Sequence, residues 1–227
     1  MNARDAHAVV FDLDGVLIDS EPVWEEVRRG FVDEHGGRWL PDSQTRLMGM
    51  NTEEWAVYLA EDLLDGRMDP EEVAYEVIDR MRRRYADRLP VLPGAVEAVR
   101  RLAEPFALGL NSSSPPALIE LVLGKMGVES LFRATVSTEE VDQGKPAPDG
   151  YLTAAARLEV PPARCVAIED SENGLRSAHA AGMKVIAVPR PQHPPSPEAL
   201  ALAALTADGL DAVTEETISR LGKAPAC

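Results

Sequence analysis

Two carboxylates follow a short apolar run near the beginning of the chain. The apolar residues 8–11 (AVVF) lead directly to Asp12, and a second acid, Asp14, comes two positions later. An aspartate here can act as a nucleophile, because aspartyl-phosphate intermediates are an established route of covalent catalysis. A second carboxylate that points in a different direction can serve as general acid on the leaving-group side and then as base for water. The pair therefore suits phosphoryl transfer.

Polar groups also follow the later apolar runs of the chain. Residues 111–114 (NSSS), Lys145, and the pair Glu169 and Asp170 each come after a separate run. In an open parallel sheet, ligands bind beyond the carboxyl ends of the strands. If the runs are strands of one such sheet, these side chains and the two aspartates lie along the same edge.

This set of side chains has a specific chemical use. Several clustered carboxylates cannot all be ionised side by side without a cation. Oxygen ligands, in a chain with only four histidines, favour Mg²⁺ over zinc. Lys145 and a serine hydroxyl could bind a phosphoryl group, whose remaining charge the metal would neutralise. The pattern predicts a Mg²⁺ site that takes a small phosphorylated metabolite.

Each of these features also has an ordinary structural explanation. Asp14-Gly15 alone is a common turn, and residues 112–114 could merely cap a helix. Lys145 could be a solvated loop residue, and the acids at 169–170 could stabilise a helix N-terminus. We favour the shared site because the features occur together, each one at a predicted strand end.

The elements that would position these residues alternate in type along the chain. The apolar runs that are typical of buried strands lie at 8–11, 106–110, 134–137, 165–169 and 184–189. The helical patterns between the later runs lie at 94–103, 115–126, 148–159 and 172–181. This alternation predicts an α/β fold with a doubly wound, Rossmann-like parallel sheet.

The first interval of the alternation is much longer than the others and is helical in pattern throughout. Apolar residues recur every four positions in part of it, as at Val73, Val77, Met81 and Tyr85. We predict an α-helical bundle inserted after the first strand as a cap domain. The expected division is an α/β core of residues 1–18 and 89–227 and an inserted helical domain of residues 19–88.

The composition restricts the classes of partner. The 227-residue chain holds 38 acidic and 23 basic residues, a net charge of −15. Such a surface repels nucleic acid and anionic lipid, and no apolar run reaches the roughly 18 residues of a membrane span. Cys165 and Cys227 form no disulfide or zinc pattern, so we expect a reduced, cytoplasmic protein. No unusual apolar segment is left over for an interface, which favours a monomer.

Four segments resemble the sequence motifs of the haloacid dehalogenase-like (HAD) hydrolase superfamily. These segments are FDLDGVLIDSE, NSSSP, GKPAPDGYL and VAIEDSENGLRSAHAAGM. The resemblance covers nearly the whole chain, and the helical insert is similar to the small helical cap of that superfamily. In particular, the chain resembles the branch that holds beta-phosphoglucomutase and the sugar-phosphate phosphatases.

The resemblance implies a role for each site residue. Asp12 would be the nucleophile, and Asp14 would be the general acid and base. The residues that would bind the phosphate are Ser112, Ser113 and Lys145. Those that would bind Mg²⁺ are Asp12, the backbone carbonyl of Asp14, Asp170 and, nearby or as a further ligand, Glu169. Because Asp14 matches the phosphotransferase pattern, a dehalogenase is disfavoured.

Residues of the predicted cap help to distinguish a sugar-phosphate mutase from a phosphatase. Members that resemble the mutase carry a histidine where this chain has Trp24, and cations in a cap loop where it has Met48 and Thr52 or Glu53. Arg46 is the only base near that loop, and an uncharged loop is poorly suited to hold a second phosphate. We therefore expect a phosphatase that hydrolyses a monophosphate, with a sugar-phosphate mutase as the alternative.

Three residues of the insert are candidates for substrate selectivity: Trp24, Met48 and Met50. Packing inside the helical bundle explains Trp24 equally well, since large aromatic side chains are usually buried. A third hypothesis, a non-catalytic acidic binding or regulatory module, would have been favoured by the loss of Asp12 or Asp14, and both are present. The four histidines do not cluster, and the predicted chemistry needs none of them.

Overall fold

The protein forms a six-stranded parallel sheet with helices around it. The computed structural model describes residues 8–222 of the chain, so predictions that concern residues 1–7 or Cys227 lie outside the described residues. The strands are β1 (Ala8–Phe11), β2 (Ala107–Ser112), β3 (Phe132–Ser137), β4 (Cys165–Glu169), β5 (Lys184–Ala187) and β6 (Leu205–Thr206). Their order in the sheet is β3-β2-β1-β4-β5-β6, with every pair parallel. The predicted α/β fold class is confirmed.

Ten α-helices, some with short 3₁₀ or π segments beside them, complete the described chain. The helices before β2 are α1 (Glu21–Glu34), α2 (Ser43–Leu47), α3 (Thr52–Tyr58, continued by a π-helical turn at Leu59–Leu63), α4 (Pro70–Asp87) and α5 (Ala95–Ala103). The later helices are α6 (Pro116–Met126), α7 (Asp149–Arg157), α8 (Glu172–Ala180), α9 (Pro197–Leu200) and α10 (Glu215–Gly222). The 3₁₀ segments are Glu129–Leu131, Thr138–Glu140, Pro162–Arg164 and Leu210–Ala212.

The register of the sheet aligns the strand ends that carry the polar residues. Phe11 of β1 pairs with Leu110 of β2 on one side and with Ile168 of β4 on the other. Asp12 directly follows β1, and Glu169 is the last residue of β4. Because paired strands keep the same register, these two acids lie at the same level of the sheet edge.

The helical insert, defined as α1 to α4, lies in the chain between β1 and β2. The four-residue repeat Val73, Val77, Met81 and Tyr85 forms one buried stripe of α4, as its period predicts. Buried side chains of the insert and of one face of the sheet belong to one continuous hydrophobic cluster. The domain boundaries at 19–88 remain a prediction.

The C-terminal part of the described chain contains elements that the sequence patterns did not predict. Strand β6 has only two residues and α9 only four, too few for a periodic pattern to stand out. Within residues 8–222, no helix combines the length and the apolar character that crossing a bilayer requires.

Candidate active site

Three of the predicted residues meet at the carboxyl edge of the sheet in direct contact. The Lys145 ammonium lies 2.6 Å from Asp12 Oδ1 and 2.6 Å from Glu169 Oε1, in a position that is almost entirely buried. Carboxylate oxygens of Asp12, Glu169 and Asp170 all lie within 4.8 Å of one another. Residues far apart in the chain therefore gather where the strand pattern predicts.

Two glycines allow these carboxylates to approach so closely. Gly15 has φ of 82°, and a Cβ at that position would overlap the carboxylate of Asp170. A Cβ at Gly174, in the first turn of α8, would likewise overlap the carboxylate of Glu169. Any side chain at either position would displace an acid of the cluster, so both glycines permit the close approach, and Gly15 also allows the turn after β1.

Asp14 is held by two serines at the carboxyl end of β2, Ser112 as the last residue of the strand and Ser114 just after it. Its Oδ2 accepts hydrogen bonds from the hydroxyls of Ser112, at 3.0 Å, and Ser114, at 2.9 Å. The Ser112 hydroxyl also accepts a bond from the backbone N–H of Ser114. Within residues 8–222, Asp14 Oδ1 is buried without a hydrogen-bond partner. One oxygen of Asp14 is thus fixed, and the other is available.

The electrostatics of the cluster favour a further positive charge. Burial raises the pKa of Asp12 well above its usual value; Lys145 opposes this rise, and Glu169 and Asp14 add to it. Burial, with the charges of Asp12 and Glu169, likewise raises the pKa of Asp170. Burial alone would lower the pKa of Lys145, but Asp12 and Glu169 raise it above its ordinary value, so it remains a cation. One lysine among several acids leaves net negative charge, and the oxygen donors fit Mg²⁺.

The hydrogen bonds distinguish the three clustered carboxylates. Glu169 Oε1 accepts bonds from Lys145 and from the Tyr151 hydroxyl, each at 2.6 Å, and its Oε2 accepts one from Ser171 at 3.2 Å. No residue between 8 and 222 donates a hydrogen bond to the side chain of Asp170. Asp170 and Asp12 therefore have the freer oxygens for a metal, whereas Glu169 is occupied in holding the lysine.

A cavity of about 580 Å³ opens between this edge of the sheet and the helical insert. One side of it, the sheet wall, is formed by Asp12, Asp14, Lys145 and Asp170. The opposite side, the insert wall, includes Glu21, Trp24, Arg28, Met48 and Met50. Ser113 also lines the cavity.

Trp24 both lines the cavity and packs inside the helical insert, and its role in selectivity stays a prediction. It faces the cavity, and its ring packs against Trp55 with centroids 5.9 Å apart and the two ring planes tilted by 55°. Only 6% of Trp24 is exposed, so the side chain contributes to the hydrophobic core of the insert as well as to the insert wall.

The sequence patterns did not predict the contacts of several residues of the site. Ser114 and Tyr151 lie inside the quoted motifs, but only their contacts to Asp14 and Glu169 reveal what they hold. The proline-rich segment 189–197 follows β5. Its residue His193 is exposed and lines the cavity, together with Arg190.

The chain has clear relatives among known proteins. The family model described as haloacid dehalogenase-like hydrolase matches residues 6–182. This protein belongs to the haloacid dehalogenase-like hydrolase family. Three of the four motif segments that indicated this family supply the sheet wall, and the fourth, NSSSP, supplies Ser113 and Ser114 to the lining of the cavity.

Curated relatives of this HAD-like hydrolase include several phosphatases. Hexitol phosphatase B of Escherichia coli (strain K12) is 37% identical over 195 residues, which cover 83% of this chain and 86% of the relative. The fructose-1-phosphate phosphatase YqaB of the same strain is 32% identical, covering 79% of this chain and 95% of the relative. The prediction that the chain is an enzyme of this family, with phosphatases as its relatives, is confirmed. The alternative of a non-catalytic module is thereby removed.

Solved structures of the same fold cover nearly the whole HAD-like hydrolase chain. CbbY from Rhodobacter sphaeroides, in complex with phosphate, superposes with a TM-score of 0.83 at 22% identity, over 94% of this chain and 99% of that one. A beta-phosphoglucomutase from Clostridium difficile gives a TM-score of 0.81 at 23% identity, over 96% of this chain and 97% of that one. At these identities the likeness concerns the fold.

Proposed function

We propose that this protein is a Mg²⁺-dependent phosphomonoester hydrolase that acts on a small sugar phosphate through an aspartyl-phosphate intermediate. One observation carries the proposal: the buried Asp12 carboxylate lies against Lys145, beside an Asp14 whose Oδ2 is held by two serines. A nucleophile, a phosphate-binding cation and an oriented acid are the groups that the reaction requires.

In the first step, a carboxylate oxygen of Asp12 attacks the phosphorus of the monoester. The bond from phosphorus to the leaving-group oxygen breaks, and Asp14 gives its proton to that oxygen. Lys145, 2.6 Å from Asp12, favours the ionised nucleophile and then pairs with oxygens of the transferred phosphoryl group. Ser113 lines the cavity, and we assign to its hydroxyl a hydrogen bond to the same group.

In the second step, Asp14 acts as a base. It removes a proton from water, whose oxygen attacks the phosphorus of the aspartyl phosphate. The bond between phosphorus and the Asp12 oxygen breaks, and inorganic phosphate leaves. The hydrogen bonds from Ser112 and Ser114 keep Asp14 in the same position for both steps.

Mg²⁺ would be held by Asp12, Asp170 and the backbone carbonyl of Asp14, with Glu169 as the anchor of Lys145. When bound, it supplies charge that neutralises phosphate oxygens. The raised pKa values of Asp12 and Asp170, which arise chiefly from burial, support a cation at this place.

The names of the curated relatives support a sugar-phosphate substrate. Among them are the hexitol and fructose-1-phosphate phosphatases and a phosphorylated carbohydrates phosphatase of Thermotoga maritima, 32% identical over 79% of this chain. One observation favours the sugar-phosphate mutase as a second candidate. Arg28 is a cation on the insert wall, outside the cap loop that contains Met48. The absence of the mutase histidine, with Trp24 in its place, keeps the phosphatase first. A monomeric state and a cytoplasmic location remain predictions.

The test is phosphate release from a panel of sugar phosphates and p-nitrophenyl phosphate, with Mg²⁺ and with EDTA. We expect hydrolysis that requires the metal, and a phosphorylated protein that intact-mass spectrometry detects in quenched reactions of the native enzyme. Turnover without any phosphorylated protein would contradict the covalent route. Isomerisation of a sugar phosphate that exceeds hydrolysis would favour the mutase.

A further inference from the structure

The insert wall presents a buried cation that the proposed chemistry does not use. Arg28 of α1 is only 5% exposed, yet it lines the cavity opposite the catalytic residues. It makes no hydrogen bond and no ion pair with any residue between 8 and 222, and its Nε is buried without a partner. A buried guanidinium is usually paired, since an unpaired buried charge is unfavourable.

Two aromatic rings hold this guanidinium in place. Its central carbon lies 4.4 Å from the ring centroid of Trp24 and 5.0 Å from that of Trp55. Contacts of this kind stabilise a cation and fix the plane of the group, but they leave its N–H groups without acceptors. Burial lowers the pKa of Arg28 to about 10, with Glu21 opposing the shift, so the group is positively charged at neutral pH.

Glu21 supplies an acceptor in the same wall. It precedes Arg28 by two turns of α1 and also lines the cavity, yet no ion pair within 4.0 Å joins the two side chains. Its Oε2 accepts a hydrogen bond from Gln44 Nε2 at 2.8 Å, which orients the carboxylate. The Oε1 of Gln44 is itself a buried acceptor without a partner within residues 8–222. The wall therefore carries a donor, Arg28, and an acceptor, Glu21.

The charges of the cavity decide which ligand such a wall suits. Among the described residues that line it, six are carboxylates, against three permanent cations, Lys145, Arg28 and Arg190. A second anionic group on the substrate would lie close to Glu21 and Asp14, and like charges at that range are repulsive. Hydroxyl groups both donate and accept, so they can satisfy Arg28 and Glu21 at the same time without added charge.

We propose that Arg28 and Glu21 are specificity-determining residues that bind adjacent hydroxyl groups on the leaving-group side of a sugar or sugar-alcohol phosphate. Arg28 donates from its fixed guanidinium, and Glu21 accepts from the neighbouring hydroxyl. The inference rests on the proposed function, because in it the insert wall binds the leaving group of the phosphate ester.

The experiment compares two monophosphates of equal chain length, D-glucitol 6-phosphate and n-hexyl phosphate, which differ in their hydroxyl groups. The measured quantity is the ratio of their kcat/KM values. We expect Arg28→Gln to lower this ratio by about tenfold to a hundredfold, the range for losing hydrogen bonds to a charged group. Arg29→Gln, which changes the exposed neighbouring arginine, is the matched control and should leave the ratio unchanged.

A binding measurement separates recognition from turnover. In the Asp12→Asn background, calorimetry with D-glucitol 6-phosphate should show affinity at least about tenfold weaker when Arg28→Gln is added. Arg28→Met, which retains an apolar stem against the tryptophans, should weaken binding equally if the N–H groups are responsible. Equal affinity with and without Arg28 would overturn the inference.

A third substrate distinguishes hydroxyl recognition from anion recognition. Glu21→Gln should reduce kcat/KM for D-glucitol 6-phosphate and raise it for 6-phosphogluconate, which carries a carboxylate at the far end. If Arg28→Gln instead impairs 6-phosphogluconate most, the wall binds a second anion and the proposal is wrong. A native enzyme that hydrolyses none of these esters would overturn the proposed function, whereas hydrolysis with unchanged ratios would overturn this inference alone.

Discussion

The two walls of the cavity differ in how their charges are satisfied. On the sheet wall, Lys145 is bonded to two carboxylates and Asp14 to two serine hydroxyls. On the insert wall, Arg28 has aromatic rings as its contacts within residues 8–222 and no hydrogen-bonded partner. The sheet wall is organised before a substrate arrives, while the insert wall presents groups that a substrate would complete. Such a difference is expected if the sheet wall carries out the reaction and the insert wall selects the substrate.

The supports of the two walls also differ. The acids of the sheet wall come directly after β1 and β4, which are neighbours at the centre of a parallel sheet. The insert wall comes from helices and connections between β1 and β2, which pack around Trp24 and Trp55. Changes in the sheet wall should therefore affect every substrate alike, and changes in the insert wall should alter the ranking of substrates.

The largest effect is expected from Asp12→Asn. Without a nucleophilic carboxylate, kcat should fall at least about 10⁴-fold on every phosphomonoester, as for other covalent nucleophiles. The fold should persist because the amide has nearly the same shape. Steady-state assays and thermal melts check this, with the exposed Asp33→Asn as the matched control. Substantial activity in Asp12→Asn would refute the covalent mechanism.

The next largest effect is expected from Lys145→Ala. Loss of the cation that contacts Asp12 and Glu169 should lower kcat about 10²–10³-fold, the range for removing one electrostatic donor to a transition state. The loss should be similar for D-glucitol 6-phosphate and n-hexyl phosphate. The exposed Lys184→Ala serves as control. A fall in kcat for only one of the two substrates would contradict the distinction between a catalytic sheet wall and a selective insert wall.

A pH dependence of metal binding follows from the raised pKa values. Asp12 and Asp170 titrate above the usual range because of burial, so in the folded, metal-free protein their protonated forms persist to higher pH. The contribution of these two carboxyl groups to the free energy of unfolding is fully present below their unfolded-state pKa near 3.8. It is lost as the pH rises through their raised folded-state pKa values. Mg²⁺ should therefore stabilise the protein more at pH 8 than at pH 5.5.

Thermal melts across a Mg²⁺ titration check this prediction. We expect about tenfold more Mg²⁺ to be needed for half-maximal stabilisation at pH 5.5, because protons compete with the metal for carboxylates. Asp170→Asn should weaken the metal dependence at both pH values. A Mg²⁺ effect that is the same at both pH values would argue against these carboxylates as ligands.

The smallest effect is expected from Tyr151→Phe. The variant removes one hydrogen bond, the 2.6 Å contact to Glu169 Oε1, while leaving the ring beside Lys145. The free energy of unfolding should fall by about 1.5–3 kcal/mol, the range for a bond to a charged group. We expect kcat to fall less than tenfold, equally for all substrates, and Tyr75→Phe on the exposed surface to have no effect. A change in substrate ranking would place Tyr151 in selectivity instead.

The order of elements and the positions of the proposed catalytic acids followed from short-range patterns. The run before Asp12 is β1 at the predicted residues, and the run that ends at Glu169 is β4. Ser171 accepts a bond from Gly174 N–H at the start of α8, as serines at helix N-caps commonly do. Such features are predictable because hydrophobic periodicity and capping depend on residues only a few positions apart.

What the sequence by itself determined is the alternation of strands and helices, the family motifs and the gathering of acids at strand ends. Only the tertiary structure decided which hydroxyls hold Asp14, which acid holds Lys145, and that Arg28 faces the site. The reason is physical: hydrogen bonds such as Ser114 to Asp14 join residues about a hundred positions apart, and no local pattern encodes their distance. An arginine on a helix is ordinarily solvated, and only the packing of Trp24 and Trp55 around Arg28 turns it inward.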